Sequence, residues 1–505
     1  MKINFKSRLA IFLIITALVF SLVACGQGGQ ESQDASPDTT SDTADNTNDS
    51  SSETTEEGDT EVEKPKEIKF MVDGTFIVKE NGQDEIIKAY EEMTGIKLSV
   101  NQPAHNEYYE KVDLAFATGE IPDVLILSTD MYVTYAVNGA LYDITELYDN
   151  SEVKNNITDQ AVVDALRLDG KLYGLPVERG NGPITYVRGD WLEKLNIDIP
   201  TNYDEFIDML RRFATEDPDG NGQDDTIPFT APGLLGYNYV REFYQDARPT
   251  FYQKDGKWVD GMMEPEMKEA LQRMQDAYKE GLIDKEVITN KTSTCRDKFY
   301  SGNVGVFTYW AGLWNQTLQD NLAANVPEGK VTPIPAIEET NYVERVAPPI
   351  CITAKAENPE GIFKYFLEFM LDAGEGQTLF THGVEDVMYK MEDGKMVKLP
   401  SIQDPDTLFD KIFMSGSLSI TNYDDPYEYP EIITSSLELF RSNAIQDTLL
   451  PDSEVLARYL PELDAIRSET ISAIVMGELS VDEGLDQYVE KAKAYVDEIL
   501  ADINK

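Results

Sequence analysis

The stretch that most limits the fold is residues 26–66. It holds 12 acidic and 2 basic side chains, no aromatic residue, and only Val62 as a large aliphatic. Such a segment cannot bury enough apolar surface to offset the entropy of ordering it, so it is expected to stay disordered. About forty residues of this kind span on the order of 35 Å as a flexible coil, more with self-repulsion. Folding is left to the roughly 440 residues that follow, too many for one hydrophobic core and natural for two domains.

Ahead of this stretch, Lys2, Lys6 and Arg8 precede an apolar run from Leu9 to Val23. A basic n-region and an apolar h-region make a secretory signal. The run is too short, and too closely followed by polar sequence, to favour a spanning helix. Leu22-Val23-Ala24-Cys25 resembles the bacterial lipobox, which implies removal of residues 1–24 and lipid attachment to the Cys25 sulfur. Residues 25–66 then read as a lipid-anchored tether for a soluble body at the outer face of the cell membrane. With 92 acidic against 43 basic side chains the chain carries a formal charge of −49, which excludes nucleic acid as the default partner. Two histidines and three cysteines exclude a His-rich metal centre and a disulfide scaffold.

Beyond the tether, Ile68-Lys69-Phe70-Met71-Val72 reads as a strand ending at Asp73-Gly74. A helix follows near 84–93, stopped by Gly95, and then a strand at 96–100. Asp123-Val124-Leu125-Ile126-Leu127, bounded by Pro122 and Ser128, has the pattern of a buried strand. Strands alternating with helices predict an α/β fold of parallel sheets, with ligands beyond the carboxyl ends of the strands. Thr201-Asn202-Tyr203-Asp204 has capping-box spacing, and Ser480-Val481-Asp482-Glu483 has the full pattern. Met267, Leu271, Met274 and Tyr278 form a helical stripe that reads as core.

A longer ordered set carries a family resemblance. It comprises Tyr173-Gly174-Leu175-Pro176, Tyr186-Val187-Arg188-Gly189-Asp190-Trp191-Leu192, Pro200-Thr201, and Asp217-Pro218-Asp219-Gly220-Asn221-Gly222. Asp255-Gly256-Lys257-Trp258, Tyr278-Lys279-Glu280-Gly281-Leu282-Ile283-Asp284 and Ser301-Gly302-Asn303-Val304-Gly305 complete it. Together these resemble the extracellular solute-binding lipoproteins, family 1, of Gram-positive sugar ABC transporters, in the LipO-like and alginate oligosaccharide-binding branch. The resemblance implies a periplasmic-binding-protein-like class II fold, with two hinged lobes that close on a sugar and deliver it to a membrane permease. By the same analogy the chain crosses between lobes more than once. Lobe 1 would be 67–183 with 346–395, and lobe 2 would be 184–345 with 396–505. The crossings would lie near 173–178 and 347–353, and the protein is expected to act as a monomer.

The clearest candidate metal site is Asp217, Asp219, Asn221, Gln223 and Asp225, oxygen-bearing residues at alternate positions around Gly222. This is the spacing of a calcium loop. Position 12 is Pro228, so the bidentate glutamate of a full EF-hand is missing, and Asp224, a distant acid or water must complete the shell. A structural calcium is expected. Sugar sites combine flat aromatics with a few hydrogen-bonding groups. Tyr309, Trp310 and Trp314 follow a predicted strand at 304–308, where an α/β lobe meets its ligand. Glu178, Arg179 and Asn181 follow the first crossing, and Tyr237 and Tyr239 sit in a Gly-rich loop. Asp73, Phe76, Ser128 and Asp130 lie in turns after lobe 1 strands, with Ser128 and Asp130 equally readable as helix caps.

Other aromatics read as structural: Trp191 as core and Trp258 as a hairpin stiffener. His105 and His382 lack metal-ligand spacing and read as ordinary polar contacts. Cys295 and Cys351 are not expected to pair, because a bridge to a hinge strand would hinder opening. The rival classes are a secreted polysaccharide hydrolase or lyase and an adhesive or peptide-sensing lipoprotein. No Gly-x-Ser-x-Gly elbow or Gly-rich phosphate loop supports catalysis, and a carboxylate pair means nothing among 92 acids. The acidic surface favours neutral or cationic solutes.

Overall fold

The computed structural model describes residues 62–505 apart from Asp224. The signal, Cys25 and the tether up to residue 61 lie outside the described residues. The last tether residues are docked. Asn358 Nδ2 donates to the Glu63 carbonyl at 2.7 Å, and the Tyr365 hydroxyl donates to that of Val62 at 3.2 Å. The docked chain thus includes residues that composition assigned to the tether, because backbone carbonyls suffice to dock a polar segment.

The strands, in chain order, are β1 (Glu67–Met71), β2 (Lys97–Asn101), β3 (Val124–Ile126), β4 (Leu175–Pro176) and β5 (Pro183–Arg188). They continue with β6 (Ile227–Thr230), β7 (Phe251–Lys254), β8 (Lys257–Asp260), β9 (Val304–Trp310) and β10 (Val331–Pro333). The last are β11 (Tyr342–Glu344), β12 (Pro349–Ile352), β13 (Tyr389–Glu392), β14 (Lys395–Lys398) and β15 (Ala444–Gln446). One sheet has the order β2-β1-β3-β12-β4 and the other β10-β5-β9-β6, with three two-stranded pairs besides.

β1 is parallel to β2 and β3, as the strand-helix-strand reading expects, but β12 runs antiparallel to β3 and β4. In the second sheet β6 is parallel to β9, whereas β5 is antiparallel to β9 and β10 to β5. The sheets are therefore mixed, not parallel throughout. A strand delivered by a chain that re-enters a lobe needs no crossover helix to set its direction. All six residues of β5 are buried, the continuous burial of a strand covered on both faces. Ile184, Tyr186, Phe307 and Tyr309 face one core with Leu318 and Phe440, and Val187 and Val306 face another with Phe206 and Met274.

A separate core gathers residues between 68 and 177 with others between 346 and 420. Met396 is buried at 4 % exposure, and Phe409, Ile412, Phe413, Met414 and Ile420 lie in this first core. These residues depart from the expected boundary at 395. Cys351 lies inside β12, in the middle of the first sheet and not in a hinge strand, and both Cys295 and Cys351 are free and buried.

Local signals act through the expected chemistry. Ser480 and Glu483 form a complete capping box on the helix Val481–Ile503. At the helix Tyr203–Thr215 the cap is Asn202, one residue later than read. Its side chain accepts from Glu205 N, while Glu205 Oε2 accepts from Thr201 N at 2.9 Å. Met267, Leu271 and Met274 are fully buried, as a core stripe requires.

Candidate functional site

Three chain segments join the first core to the other two, and their backbones hydrogen-bond to one another. Arg345 N donates to the Asn181 carbonyl at 3.2 Å, Arg179 N to that of Leu418 at 2.8 Å, and Tyr342 N to that of Asn443 at 2.9 Å. β11 pairs in parallel with β15. A Cβ on Gly180 would strike the Arg345 carbonyl, and one on Gly182 the Val343 carbonyl, so the close approach requires glycine. Gly180→Ala should therefore cost roughly 1–3 kcal/mol through overpacking, seen as a lower melting temperature. An unchanged melting temperature would mean that the crossings part without penalty.

This contact occupies the three hinge candidates. Arg179 Nε and Nη2 grip the buried Glu344 at 2.8 and 3.3 Å, and Asp159 sits 3.2 Å from Arg179 Nη2. Glu178 pairs with Lys411 Nζ at 3.2 Å and accepts from Ser415 N at 2.9 Å. Asn181 donates to the Ala311 carbonyl at 3.1 Å and accepts from Gly182 N. All three tie one crossing to another element before any ligand is considered.

Around the hinge, side chains from both lobes converge. From lobe 1, Asp73 follows β1, is nearly buried, and accepts from Thr75 N at 2.7 Å and His105 Nδ1 at 2.8 Å. Phe76 stacks on Phe413 at 6.2 Å, with Lys411 Nζ 4.6 Å from its ring centre. Ser128 caps the helix Thr129–Val137 through Met131 N, and Asp130 lies in that helix's first turn. Burial raises the carboxyl pKa of Asp130. Burial also raises the hydroxyl of the exposed Tyr109, with Asp73 and Asp130 adding to the rise and Arg345 opposing it.

From lobe 2, the end of β9 sends two aromatics to different places. The Tyr309 ring is buried, stacked on Phe307 and met edge-on by Trp314 at 4.8 Å. Arg296 donates to the Tyr309 hydroxyl at 2.7 Å and covers both the Tyr309 and Trp314 rings. Trp310 is half-buried, and the Arg345 guanidinium lies 4.8 Å over its ring. Arg345 is solvent-accessible yet hemmed by protein. Desolvation lowers its pKa, while Glu178, Tyr109 and Tyr239 act in the opposite sense. These relations link Arg345 to Glu178, Tyr109, Tyr239 and the Trp310 ring, and Tyr109 in turn to Asp73, across both lobes. Tyr237 is not among them, because its ring packs against Arg241 and Arg248.

Sequence reading missed Arg345, Tyr109 and Lys411. Arg345 directly follows β11, and its signal was a cation beside a crossing that the reading placed at 347–353. A concavity of about 810 Å³ beside Arg188, Trp191 and Asp219 is a different place. It lies at the Arg188 end of β5, whereas Trp310 pairs with Pro183 at the other end.

The 217–225 loop turns back on itself. Asn221 Nδ2 donates to Asp219 Oδ2 and Asp225 Oδ1, both at 2.9 Å, and Gly222 N donates to Asp217 Oδ2 at 3.1 Å. Burial raises the Asp219 carboxyl, and the neighbouring Asp217 and Asp225 charges add to it. Asp217 Oδ1 is buried with no hydrogen-bond partner among the described residues. Crowded carboxylates and an orphaned oxygen fit a hard cation. No cluster of three or more metal-ligating side chains is formed among the described residues, which exclude Asp224. The Gln223 backbone N–H donates to Asn221 Oδ1 at 2.7 Å.

Two lobes built on mixed sheets and joined by three crossings define a hinged binding protein. The chain belongs to the bacterial extracellular solute-binding protein family, whose profile matches residues 79–377. Members of this family bind solutes and are not enzymes. Lipoprotein LipO of Bacillus subtilis (strain 168) is 24 % identical over 447 residues, covering 83 % of this chain and 88 % of LipO. The solved structure of alginate-binding protein AlgQ2 without calcium ion superposes with a TM-score of 0.64 at 23 % identity, over 88 % of this chain and 98 % of that one. The Streptococcus pneumoniae ABC-transporter substrate-binding protein FusA, solved as an EF-hand mutant with fructo-nystose, gives 0.59 at 18 % identity over 86 % and 97 %. The similarity extends over both lobes.

Proposed function

We propose that this protein is the capture component of an ABC importer and binds an oligosaccharide in the cleft between its lobes. The observation that carries the reading is Trp310. Its half-buried ring ends β9 at the hinge, with Arg345, Tyr239 and lobe 1 groups around it. An aromatic face for the apolar side of a sugar and ionic groups for its hydroxyls are what a carbohydrate pocket needs. The sugars named for relatives such as FusA support the same class of solute.

In the open form each lobe offers half of these contacts. Only the closed form makes both, so the sugar shifts the population toward closure, which the permease then reads. We assign lobe 1 to 67–183 with 346–420, and lobe 2 to 184–345 with the segment from 431 onward. Cys25 anchors the monomer by lipid. Isothermal titration of the full chain against an oligosaccharide panel, with small-angle scattering, tests the reading. It expects binding without product and a contracted radius on saturation. Turnover of a sugar, or no binding across the panel, would sink it.

Calcium belongs to the same proposal. Asp217, Asp219, Asn221 and Asp225 would hold the ion with the Gln223 carbonyl, and the charge supplied would relieve the carboxylate crowding described above. The loop links the helix Tyr203–Thr215 to β6, so the role is structural. EGTA should lower the melting temperature, and added calcium should restore it, because an ion that binds only the folded form stabilises it by mass action. A melting temperature indifferent to chelator would remove the ion.

A further inference from the structure

A cavity of about 210 Å³ lies between the turn Tyr237–Tyr239, the β7–β8 hairpin and residues 447–467. Tyr237, Arg248 and Tyr252 line it and belong to an alternating column of guanidinium and ring that continues behind the wall to Arg241. Arg241 Cζ is 5.3 Å from the Tyr237 ring centre, and Arg248 Cζ is 5.6 Å from those of both Tyr237 and Tyr252. Two carboxylates line the cavity: Asp464, held by Arg467 Nη1 at 2.8 Å, and Asp447, which stands 3.9 Å from Arg248 Nη1, beyond hydrogen-bond distance.

Arg241 is only 4 % exposed and donates from Nη2 to the Thr340 hydroxyl at 2.9 Å. Its Nε and Nη1, and the Nε of the fully buried Arg467 in the cavity wall, have no partner among the described residues. Burial lowers the Arg241 pKa to about 10, and the neighbouring Arg248 charge pushes the same way. In a chain with 92 acids and 43 bases, the buried Arg241 and the partly buried Arg248 have no carboxylate within hydrogen-bond distance among the described residues. Buried cations carry a cost of several kcal/mol unless an anion or acceptors meet them.

We propose that this cavity is a second binding site, separate from the sugar cleft, and takes a small oxyanion between Arg248 and the hydroxyls of Thr250 and Thr448. Both threonines line it, and guanidinium with hydroxyl donors is the shared chemistry of phosphate, sulfate and carboxylate recognition. The site abuts the hinge, since Asp447 N donates to the Glu344 carbonyl of β11 at 2.8 Å.

The test is thermal melting of the full chain in sodium phosphate, sodium sulfate or sodium acetate, each against sodium chloride at equal ionic strength. A saturable rise with phosphate or sulfate identifies a tetrahedral oxyanion, and one with acetate alone identifies a carboxylate. Arg248→Gln should weaken the effective anion at least about tenfold, the loss of one charge-assisted contact. Asp447→Asn should strengthen it by removing a competing negative charge. Arg248→Gln should leave titration of sugars into the cleft unchanged. No saturable rise over chloride with any of the three anions, or the same rise in Arg248→Gln, overturns the site whatever the sugar titration shows.

Discussion

Trp310→Ala should weaken sugar affinity about 30-fold or more, roughly 2 kcal/mol, the scale of an aromatic anchor at the centre of a binding surface. The ring ends β9 beside the hinge, and truncation removes the flat surface on which Arg345 now rests. Trp314→Ala should behave differently. Its ring packs edge-on against the buried Tyr309 and lies under Arg296, not Arg345. That substitution should cost about 1–3 kcal/mol of stability, less than a fully buried tryptophan, with affinity changed by less than about threefold. Titration and urea unfolding of the two variants separate these effects. If Trp310→Ala bound normally while Trp314→Ala did not, the cleft would be misplaced.

Asp260→Ala should destabilise the protein by about 3–5 kcal/mol, the penalty for stranding a buried charge. Arg467 Nη2 meets Asp260 Oδ1 at 2.5 Å with both side chains fully buried, and the Tyr488 hydroxyl donates to Asp260 Oδ2 at 2.7 Å. Desolvation works to lower the Arg467 pKa, and Asp260, with Tyr488 and Asp464, more than reverses it. Without Asp260 the guanidinium keeps the partly exposed Asp464 at 2.8 Å, and the phenol loses its acceptor. Asp260→Leu combined with Arg467→Met should recover most of the loss, because two apolar groups need no partner. The comparison is read from urea midpoints at constant slope. A double variant as unstable as Asp260→Ala would show that packing, not charge, dominates there.

Much of the fold was legible because its signals are local. The buried run at 123–127, the Ser480 capping box and the 267–278 stripe each report their own surroundings. The crossings were harder to see. β11 is a three-residue strand ending in Glu344, and that carboxylate is buried only because Arg179 arrives from 165 residues away. Local reading favours apolar runs and so moved the crossing toward β12. The boundary at 395 failed for a related reason, since Phe409 to Met414 join the first core across a long stretch of irregular chain.

At the site, aromatic residues at a strand end were visible, but which ring faces solvent depends on what covers each. Tyr237 and Tyr239 are two residues apart in a tight turn and serve different surroundings. Arg345 and Lys411 were missed because cations stacked on rings have no sequence pattern.

β12 occupies the slot between β3 and β4, and β4 has no other neighbour in that sheet. Nothing in the first 180 residues can therefore finish the first sheet. It waits until 349–352 have been synthesised, and its core waits for 420. Until then a partly made chain is left with an open sheet flank, the period when it most needs protection from sticking to its neighbours. The same threading means that two such receptors cannot trade jaws by a single genetic crossover, so new specificities must arise by changing cleft residues in place.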